Sequence, residues 1–360
     1  PLEYVARPHC ASTNHALTEL ERAHSACSWQ AILHTFFANV DSTRVQVHRQ
    51  ITATANNANC LHFPAVSMST SLPSSALRRT RIAIMRWIDT RSGGNDTEHA
   101  SPQGIDWTRV LPFILLHVAC VGVWWVGVST TALIVALGLY GLRMFAITGF
   151  YHRYFSHKAF RTSRPMQFIF AVIGAMSVQR GPLWWAAHHR HHHRHSDQPA
   201  DLHSPVQHSF WHSHLVWFLR RDAFATQHAA VADLAQFPEL RWLDRFDTLV
   251  PLILAAALYA LGAWLESTHP SLGTSGAQLL IWGFFVSTVV LLHVTVSVNS
   301  LAHRVGSRRF DTRDNSRNNF WLALLTFGEG WHNNHHFFPG SARQGFRWWE
   351  VDITYYGLRL

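Results

Sequence analysis

The chain has 360 residues, of which 48% are hydrophobic and only 14% are charged, and it contains 16 tryptophans and 23 phenylalanines. An average soluble domain carries roughly 25% charged residues, so this composition argues against a soluble protein and favours one that lies in a lipid bilayer. The formal charge of +9 comes from dispersed arginines without a basic helix or a row of stacking aromatics, which argues against a nucleic-acid partner.

The N-terminal region, residues 1–104, shows no apolar periodicity over most of its length. Residues 1 to about 77 are polar and aperiodic, so we expect them to be largely disordered. The segment near 76–91 is basic and amphipathic, a pattern typical both of a solvated helix and of a helix on a membrane surface.

Four apolar stretches follow, each close to the roughly 20 residues that a helix needs to cross a bilayer core. They lie at about 110–128, 131–150, 249–265 and 278–298. They predict four transmembrane helices arranged in two hairpins. A further apolar stretch, Pro165 to Val178, is too short to span and predicts an interfacial or half-buried helix.

The distribution of arginine predicts the orientation of these helices. Lysine and arginine are absent from the connections 129–130 and 266–277, whereas most arginines after residue 75 lie in the other loops. Because basic residues concentrate on the cytoplasmic side of membrane proteins, both termini and the long middle loop are predicted to be cytoplasmic. Arg143 lies about six residues inside the second span, and either its side chain reaches back to the interface or it has a function.

A run of six histidines in eight residues, His188 to His195, indicates metal binding, because neutral imidazole is the commonest metal ligand in proteins. An HxxHH spacing places three imidazoles on one helical face. The run allows two such registers, His188, His191 and His192, or His189, His192 and His193. No cysteine lies beyond Cys120, so thiolate ligands are not indicated, and an imidazole site suits iron, zinc, copper or nickel.

Three other clusters lie near span ends or in the C-terminal part. His152 and His157 follow the second span, but five residues correspond to about 140° on a regular α-helix. They therefore either serve one ion each, or the helix loosens at Ser156. Asn299 and His303 are at positions i and i+4 at the end of the fourth span. The HxxHH spacing recurs at the end of the chain, as His332, His335 and His336.

The number of spans places all four clusters on one membrane face, since an even number of crossings separates any two of them. Nine histidines and one asparagine exceed the needs of a single ion, so two ions with four or five ligands each are predicted. Asp201 and His203, shortly after the run, are expected to orient its ligands. His117 and His293 lie within spans and are expected to form helix-to-helix hydrogen bonds.

These motifs resemble those of the membrane-bound fatty acid desaturases, specifically the acyl-CoA delta-nine (stearoyl-CoA desaturase-like) branch in its bacterial form. The resemblance covers about residues 105–360, the predicted desaturase domain. It rests on HRYFSH at 152–157, HRHHH at 189–193, NSLAH at 299–303 and GEGWHNNHH at 328–336. In that family an arginine directly follows the first histidine of the second box, which implies the register with His189, His192 and His193.

The resemblance implies an all-α integral membrane protein whose cytoplasmic helical cap holds a di-iron site. Asn299 is implied to lie near one iron through a water molecule. The implied iron ligands are His152, His157, His189, His192, His193, His303, His332, His335 and His336. The implied reaction uses O2 and two electrons to remove two hydrogens from a saturated acyl chain, leaving a cis double bond at delta-nine.

The resemblance also implies partners and a location. The sequence contains no haem-binding domain, so a separate electron donor is expected, such as a ferredoxin, a rubredoxin or a b-type cytochrome. The expected location is a bacterial inner membrane with a cytoplasmic active site. Animal acyl-CoA desaturases carry Arg-Asp before the second box, where this chain has Ala187-His188, so both acyl-CoA and acyl-lipid substrates are considered.

Two other functions fit parts of the pattern. A histidine-box hydroxylase acting on alkanes or sterols would share the two-metal site, although alkane hydroxylases have six spans and a different third box. A histidine-rich metal transporter belongs to a different class. It would need polar or ionisable residues along the middle of its spans, whereas these clusters lie at one face.

Overall fold

A computed structural model describes residue 82, residues 84–92 and residues 104–360 of the chain. The disorder expected for residues 1 to about 77 therefore lies outside the described residues. So does much of the amphipathic segment near 76–91, of which residues 84–88 are helical. The boundary between the two predicted domains stays a prediction.

The described residues form helices and irregular segments, with isolated β-bridges but no strand. The longer helices are α1 (Trp107–Val126), α2 (Thr130–Ser156), α3 (Arg164–Ala175), α4 (Pro182–His195), α5 (Pro238–Arg245), α6 (Leu249–Thr268), α7 (Gly276–Leu301), α8 (Phe320–Leu325), α9 (His332–Phe337) and α10 (Ile353–Arg359). Short helical turns lie between α4 and α5, at His212–Val216, Trp217–Leu219, Arg221–Phe224, His228–Val231 and Ala232–Ala235, and between α6 and α7 at Pro270–Leu272.

Four of these helices, α1, α2, α6 and α7, are long and apolar enough to cross a membrane, which agrees with the four predicted spans. Their arrangement in two hairpins and the cytoplasmic position of their ends stay predictions. The short apolar stretch at 165–178 forms α3, as expected. Its N-terminus is capped by Ser163, whose hydroxyl accepts from Met166 N at 3.4 Å, and Pro165 occupies the first turn.

Serine caps mark the starts of two long helices, and a glycine allows two of the long helices to pack closely. Ser129 caps α2 by accepting from Ala132 N at 3.1 Å, and Ser275 caps α7 by accepting from Gln278 N at 3.2 Å. At Gly262 of α6, an added Cβ would lie only 2.4 Å from the carbonyl oxygen of Ser275. Glycine at this position thus allows α6 to pack closely against the start of α7.

The two histidines within the predicted spans, His117 and His293, form an interhelical hydrogen bond, as expected. Nε2 of His117 on α1 lies 3.1 Å from Nε2 of His293 on α7, and Nδ1 of His293 lies 3.1 Å from Nε2 of His214. Nδ1 of His214 lies 3.0 Å from the Ser300 hydroxyl. Because His117 Nδ1 contacts the carbonyl of Phe113 at 2.8 Å, it carries the proton, which fixes the donor direction along the whole chain of imidazoles.

Arg143 does not reach back to the interface, which was one of its two expected behaviours. Its side chain is completely buried, and its Nη1 and Nη2 donate to the hydroxyls of Thr288 and Ser287, each at 2.6 Å. Both hydroxyls belong to α7, so Arg143 links α2 to α7. Its buried position leaves two roles for Arg143, a structural link between these helices or the functional role expected from the sequence.

Candidate metal centre

A π-helical segment, Ala146–Ser156, ends α2 and brings two separated histidines to one side. The backbone N–H of His157 donates to the carbonyl of His152 at 3.2 Å, the i to i+5 pattern of a π-helix. The Ser156 hydroxyl donates to the carbonyl of Tyr151, also five residues away, at 2.8 Å. The helix therefore loosens near Ser156, and the alternative of one ion for each of the two histidines is not the arrangement found.

Both histidines belong to a group of five imidazoles whose ligand atoms all lie within 4.8 Å of one another. Three of the Nε2 to Nε2 distances are short: 2.8 Å for His157 to His189, 2.9 Å for His193 to His335 and 3.0 Å for His152 to His335. The group combines the end of α2, the middle of α4 and one residue of α9, His335. Its members are His152, His157, His189, His193 and His335.

A second group of four imidazoles adjoins the first. It consists of His192, His303, His332 and His336, again with all ligand atoms within 4.8 Å. Nε2 of His303 lies 3.1 Å from Nε2 of His332. The ring of His336 stacks on that of His193 in the first group, with centroids 4.4 Å apart. All nine histidines predicted from the sequence thus meet in two adjacent groups.

The spacing within each group fits a metal ion. With metal–nitrogen bonds of ~2.1 Å, neighbouring ligand atoms around one ion lie about 3 Å apart, close to the distances found. Nε2 of His336 is buried and, among the described residues, has no hydrogen-bond partner. A buried imidazole nitrogen without a partner is costly unless a ligand meets it. The donor set is neutral nitrogen throughout, which suits a divalent transition metal.

Carboxylates contact four of the nine imidazoles at Nδ1, the ring nitrogen that points away from the group. Each accepts a hydrogen bond from Nδ1–H, which leaves Nε2 as the atom that faces the group. The contacts are His152 to Glu329 at 2.5 Å, His192 to Asp201 at 2.9 Å, His303 to Asp197 at 2.8 Å and His336 to Asp314 at 2.6 Å. Glu329 is itself held by Arg153, whose Nη2 lies 3.0 Å from Oε1.

Burial keeps most of these imidazoles neutral, the form that binds metal. It lowers the pKa of His332 and His335 well below the usual value, and it lowers that of His336 to about 4 although Asp314 opposes the shift. His192 differs, since burial is outweighed there by Asp201, which raises its pKa. Asp201 in turn has a lowered pKa: burial opposes this, but His192 and His203 outweigh it, so the carboxylate stays ionised.

The remaining predicted residue is Asn299, near the C-terminal end of α7. It lines a cavity of about 260 Å³ that also contacts His189 of the five-histidine group. The same wall contains Gln179 and Thr295, whose side chains form a hydrogen bond of 3.1 Å. Most of the lining is apolar or aromatic, including Trp185. The cavity thus brings an apolar compartment up to the five-histidine group.

A second cavity, about 200 Å³ and mostly polar, reaches both groups from another set of residues. It contacts His193 of the first group, His336 of the second and the carboxylate Asp314. The exposed side chains at its edge include Arg194 and Arg313. The centre therefore has an apolar and a polar approach.

Three of the four supporting carboxylates were not predicted from the sequence. Asp201 was expected to orient a ligand, and it does contact His192. Glu329, Asp197 and Asp314 were missed, although Glu329 lies inside the GEGWHNNHH motif and Asp197 lies two residues after the histidine run. A search for carboxylates beside each histidine box would have found these two, because ligating histidines usually donate their second N–H to a carboxylate.

We predict that Asp314→Asn weakens metal binding by roughly 10- to 100-fold, the usual effect of losing such a partner. The amide is a weaker acceptor for Nδ1–H of His336, so the ring is held less firmly. Competition with a chelator would measure the affinity. The matched control is Asp311→Asn, three residues earlier, because the Asp311 side chain is fully exposed and lies 3.7 Å from Arg308. Equal affinity in both variants would contradict the role of Asp314.

The metal-free protein should lose stability as the pH falls from about 7 to about 5. The pKa values of buried His332, His335 and His336 are lowered, whereas histidine in an unfolded chain titrates near ~6.5. Below that pH the unfolded chain binds more protons than the folded chain, so each such histidine costs up to roughly 1.4 kcal/mol per pH unit. Thermal unfolding of metal-free protein would measure this, and a melting temperature independent of pH would contradict it.

Comparisons with known proteins identify the family. A model of the fatty acid desaturase family matches residues 122–359. The chain is 38% identical over 267 residues to an sn-2 palmitoyl-lipid 9-desaturase of Nostoc sp. (strain 36), covering 72% of this chain and 88% of the relative. It is 35% identical over 262 residues to an sn-1 stearoyl-lipid 9-desaturase of Anabaena variabilis, covering 71% and 90%.

A third relative differs in the carrier of its substrate. It is an acyl-CoA 5-desaturase of Anemone leveillei, 36% identical over 249 residues, with coverage of 68% of this chain and 73% of the relative. The region that the family model matches, residues 122–359, includes all nine histidines of the two groups and the helices that carry them. The chain therefore belongs to the fatty acid desaturase family.

Proposed function

We propose that this desaturase introduces a cis double bond at delta-nine of a saturated acyl chain, with two irons held by the nine histidines. The single observation that supports this best is that an apolar cavity contacts His189 of the five-histidine group, which adjoins the four-histidine group. An unactivated methylene pair cannot form hydrogen bonds, so the site must position it by the shape of an apolar channel. The delta-nine position follows the names of the two lipid desaturases to which the chain is similar.

The five-histidine group would hold one iron and the four-histidine group the other. When bound, the two irons supply the activation of O2 that makes an unactivated C–H bond reactive. The fit rests on the nitrogen spacing of about 3 Å and on the unpartnered Nε2 of His336. With only four imidazoles in the second group, we propose that Asn299 contributes there through a water molecule, as the family resemblance implies.

The residues of the chain contribute orientation and exclusion of water. Glu329, Asp197, Asp201 and Asp314 hold their histidines in the tautomer whose Nε2 is free to bind metal. The apolar lining of the cavity keeps bulk water from the reacting methylenes. The hydrogen bond from Gln179 to Thr295 ties the turn between α3 and α4 to α7 across the cavity wall. These contacts fix the wall against which the acyl chain lies.

The carrier of the acyl chain is proposed to bear a phosphate, with CoA as the expectation from the sequence and a membrane lipid as the second candidate. Arg86, Arg109 and Arg180 line the cavity, and guanidinium groups suit phosphate recognition. The adjacent basic pair Arg220 and Arg221 is not among the described residues that line it. The lipid candidate is favoured by the names of the Nostoc and Anabaena relatives.

We also propose the surroundings of the reaction. The protein would span a bacterial inner membrane with its termini and metal centre in the cytoplasm, because the arginine-rich loops lie on that side of the predicted spans. Two electrons per turnover would come from a separate donor such as a ferredoxin, a rubredoxin or a b-type cytochrome. The polar cavity at His193 and His336 gives such a donor, and the water formed, an approach to the centre.

Expression in cells that lack their own desaturase tests this function. We expect new cis-monoenes with the double bond at delta-nine, and their loss in His192→Ala, which removes one ligand of the four-histidine group. His269→Ala is a matched control, because His269 is exposed at the far end of α6. Hydroxylated chains in place of monoenes would favour a histidine-box hydroxylase, and unchanged lipids with altered metal uptake would favour transport.

A second experiment, with labelled substrates, distinguishes CoA from a membrane lipid as the carrier of the acyl chain. Membranes from these cells would be supplied with labelled saturated acyl-CoA or with labelled phospholipid, together with reductant. Prompt desaturation of acyl-CoA before its transfer to lipid supports CoA as the carrier. Label that appears in monoenes only after incorporation into lipid supports the lipid-linked substrate.

A further inference from the structure

Arg143 on α2 carries a charge within a predicted membrane span and has no role in the mechanism above. Each of its donor nitrogens has an oxygen partner, and its side chain is completely buried. The partners are neutral: the hydroxyls of Thr288 and Ser287, each at 2.6 Å, and the carbonyls of Leu139 at 3.1 Å, Met176 at 3.4 Å and Gly283 at 3.4 Å. A buried cation is costly in a bilayer, so these bonds must form together and resist displacement.

Two of these partners connect Arg143 to the wall of the acyl cavity. On α7 the residues that line the cavity run from Asn299 to Thr288, which is about 16 Å along the helix at 1.5 Å per residue. Thr288 therefore marks the end of this wall that is farthest from the metal-binding groups. The guanidinium of Arg143 donates to the Thr288 hydroxyl, but Arg143 does not line the cavity. It therefore supports Thr288 from outside the cavity wall.

The second connection is through the turn between α3 and α4. Arg143 donates to the carbonyl of Met176, and the Ser177 hydroxyl donates to the carbonyl of Arg143 at 3.3 Å. The next residue, Val178, lines the cavity with φ of 59°, an unfavourable backbone conformation for a β-branched residue. Arg143 thus binds both the α7 side and the turn side of the cavity wall.

We infer that Arg143 fixes the α7 end of the acyl cavity at Thr288, far from the histidine groups, and so sets the longest acyl chain that the enzyme accepts. It acts as a positioning residue through Thr288, and the inference rests on the proposed function. An apolar end wall could yield to a longer chain by rotamer changes. The wall that Arg143 holds through Thr288 and Met176 cannot yield without leaving buried guanidinium donors unpaired, which costs more than an added methylene gains.

The test is the chain-length profile of the products in desaturase-deficient cells. The cells would be given saturated fatty acids that differ by two carbons, in equal amounts. Arg143→Ala and Thr288→Ala open the end wall, and we expect the ratio of longer to shorter monoenes to rise by about tenfold, the lower range for discrimination by a methylene. Thr288→Phe fills the same space and should lower the ratio, while the double bond stays at its position from the carboxyl end.

A control and a second readout separate this role from general stability. Arg164→Ala removes a surface arginine, paired with Glu239 at 2.6 Å, and should leave the ratio unchanged. Protein amounts in the membrane would be measured for every variant. If Arg143→Ala does not accumulate, the opposite shifts of Thr288→Ala and Thr288→Phe still decide the question.

Unchanged ratios in Arg143→Ala and Thr288→Ala at normal protein amounts would overturn the inference, as would equal losses for every chain length. Such results would make Arg143 a purely structural link between α2 and α7. A wild-type chain that forms no monoenes at all would instead refute the proposed function, so the two failures are distinguishable.

Discussion

Nine imidazoles crowded nitrogen to nitrogen in a buried site constrain the rest of the structure. Two neutral imidazole nitrogens about 3 Å apart can share at most one proton, and in each group several such nitrogens converge on one region. Protonation does not relieve the crowding, because burial disfavours the charged form. A cation at the centre of each group satisfies all the converging lone pairs at once. The surrounding carboxylates then accept hydrogen bonds from the other ring nitrogen, Nδ1, of four of these histidines.

The helices bring these imidazoles together through one departure from regular geometry. If α2 remained a regular α-helix to its end, His152 and His157 would point about 140° apart. The π-helical segment Ala146–Ser156 brings them to the same group. Long-range contacts then complete the centre, since Glu329 joins His152 to Arg153, and Arg153 also lies 2.9 Å from Asp352 near the C-terminus. The first histidine box is thus held by residues almost two hundred positions away.

The features predictable from the sequence are those with a local signal. Four spans follow from the length and hydropathy of their own residues, and the nine histidines follow from the spacing of the boxes and the resemblance to desaturases. The division into groups of five and four could not be predicted, because it depends on the π-helical turn before His157 and on distances across the fold. The cavity and the bonding of Arg143 were also hidden, since each depends on residues from three separate helices or turns meeting in space.

The proposed two-iron centre is tested most directly by the metal content of purified, active protein. Elemental analysis of protein that still forms monoenes should find two irons per chain, with loss of activity when iron is removed and recovery when it is restored. An active preparation that contains only zinc, or a single iron per chain at full activity, would contradict the assignment of the two histidine groups to two irons.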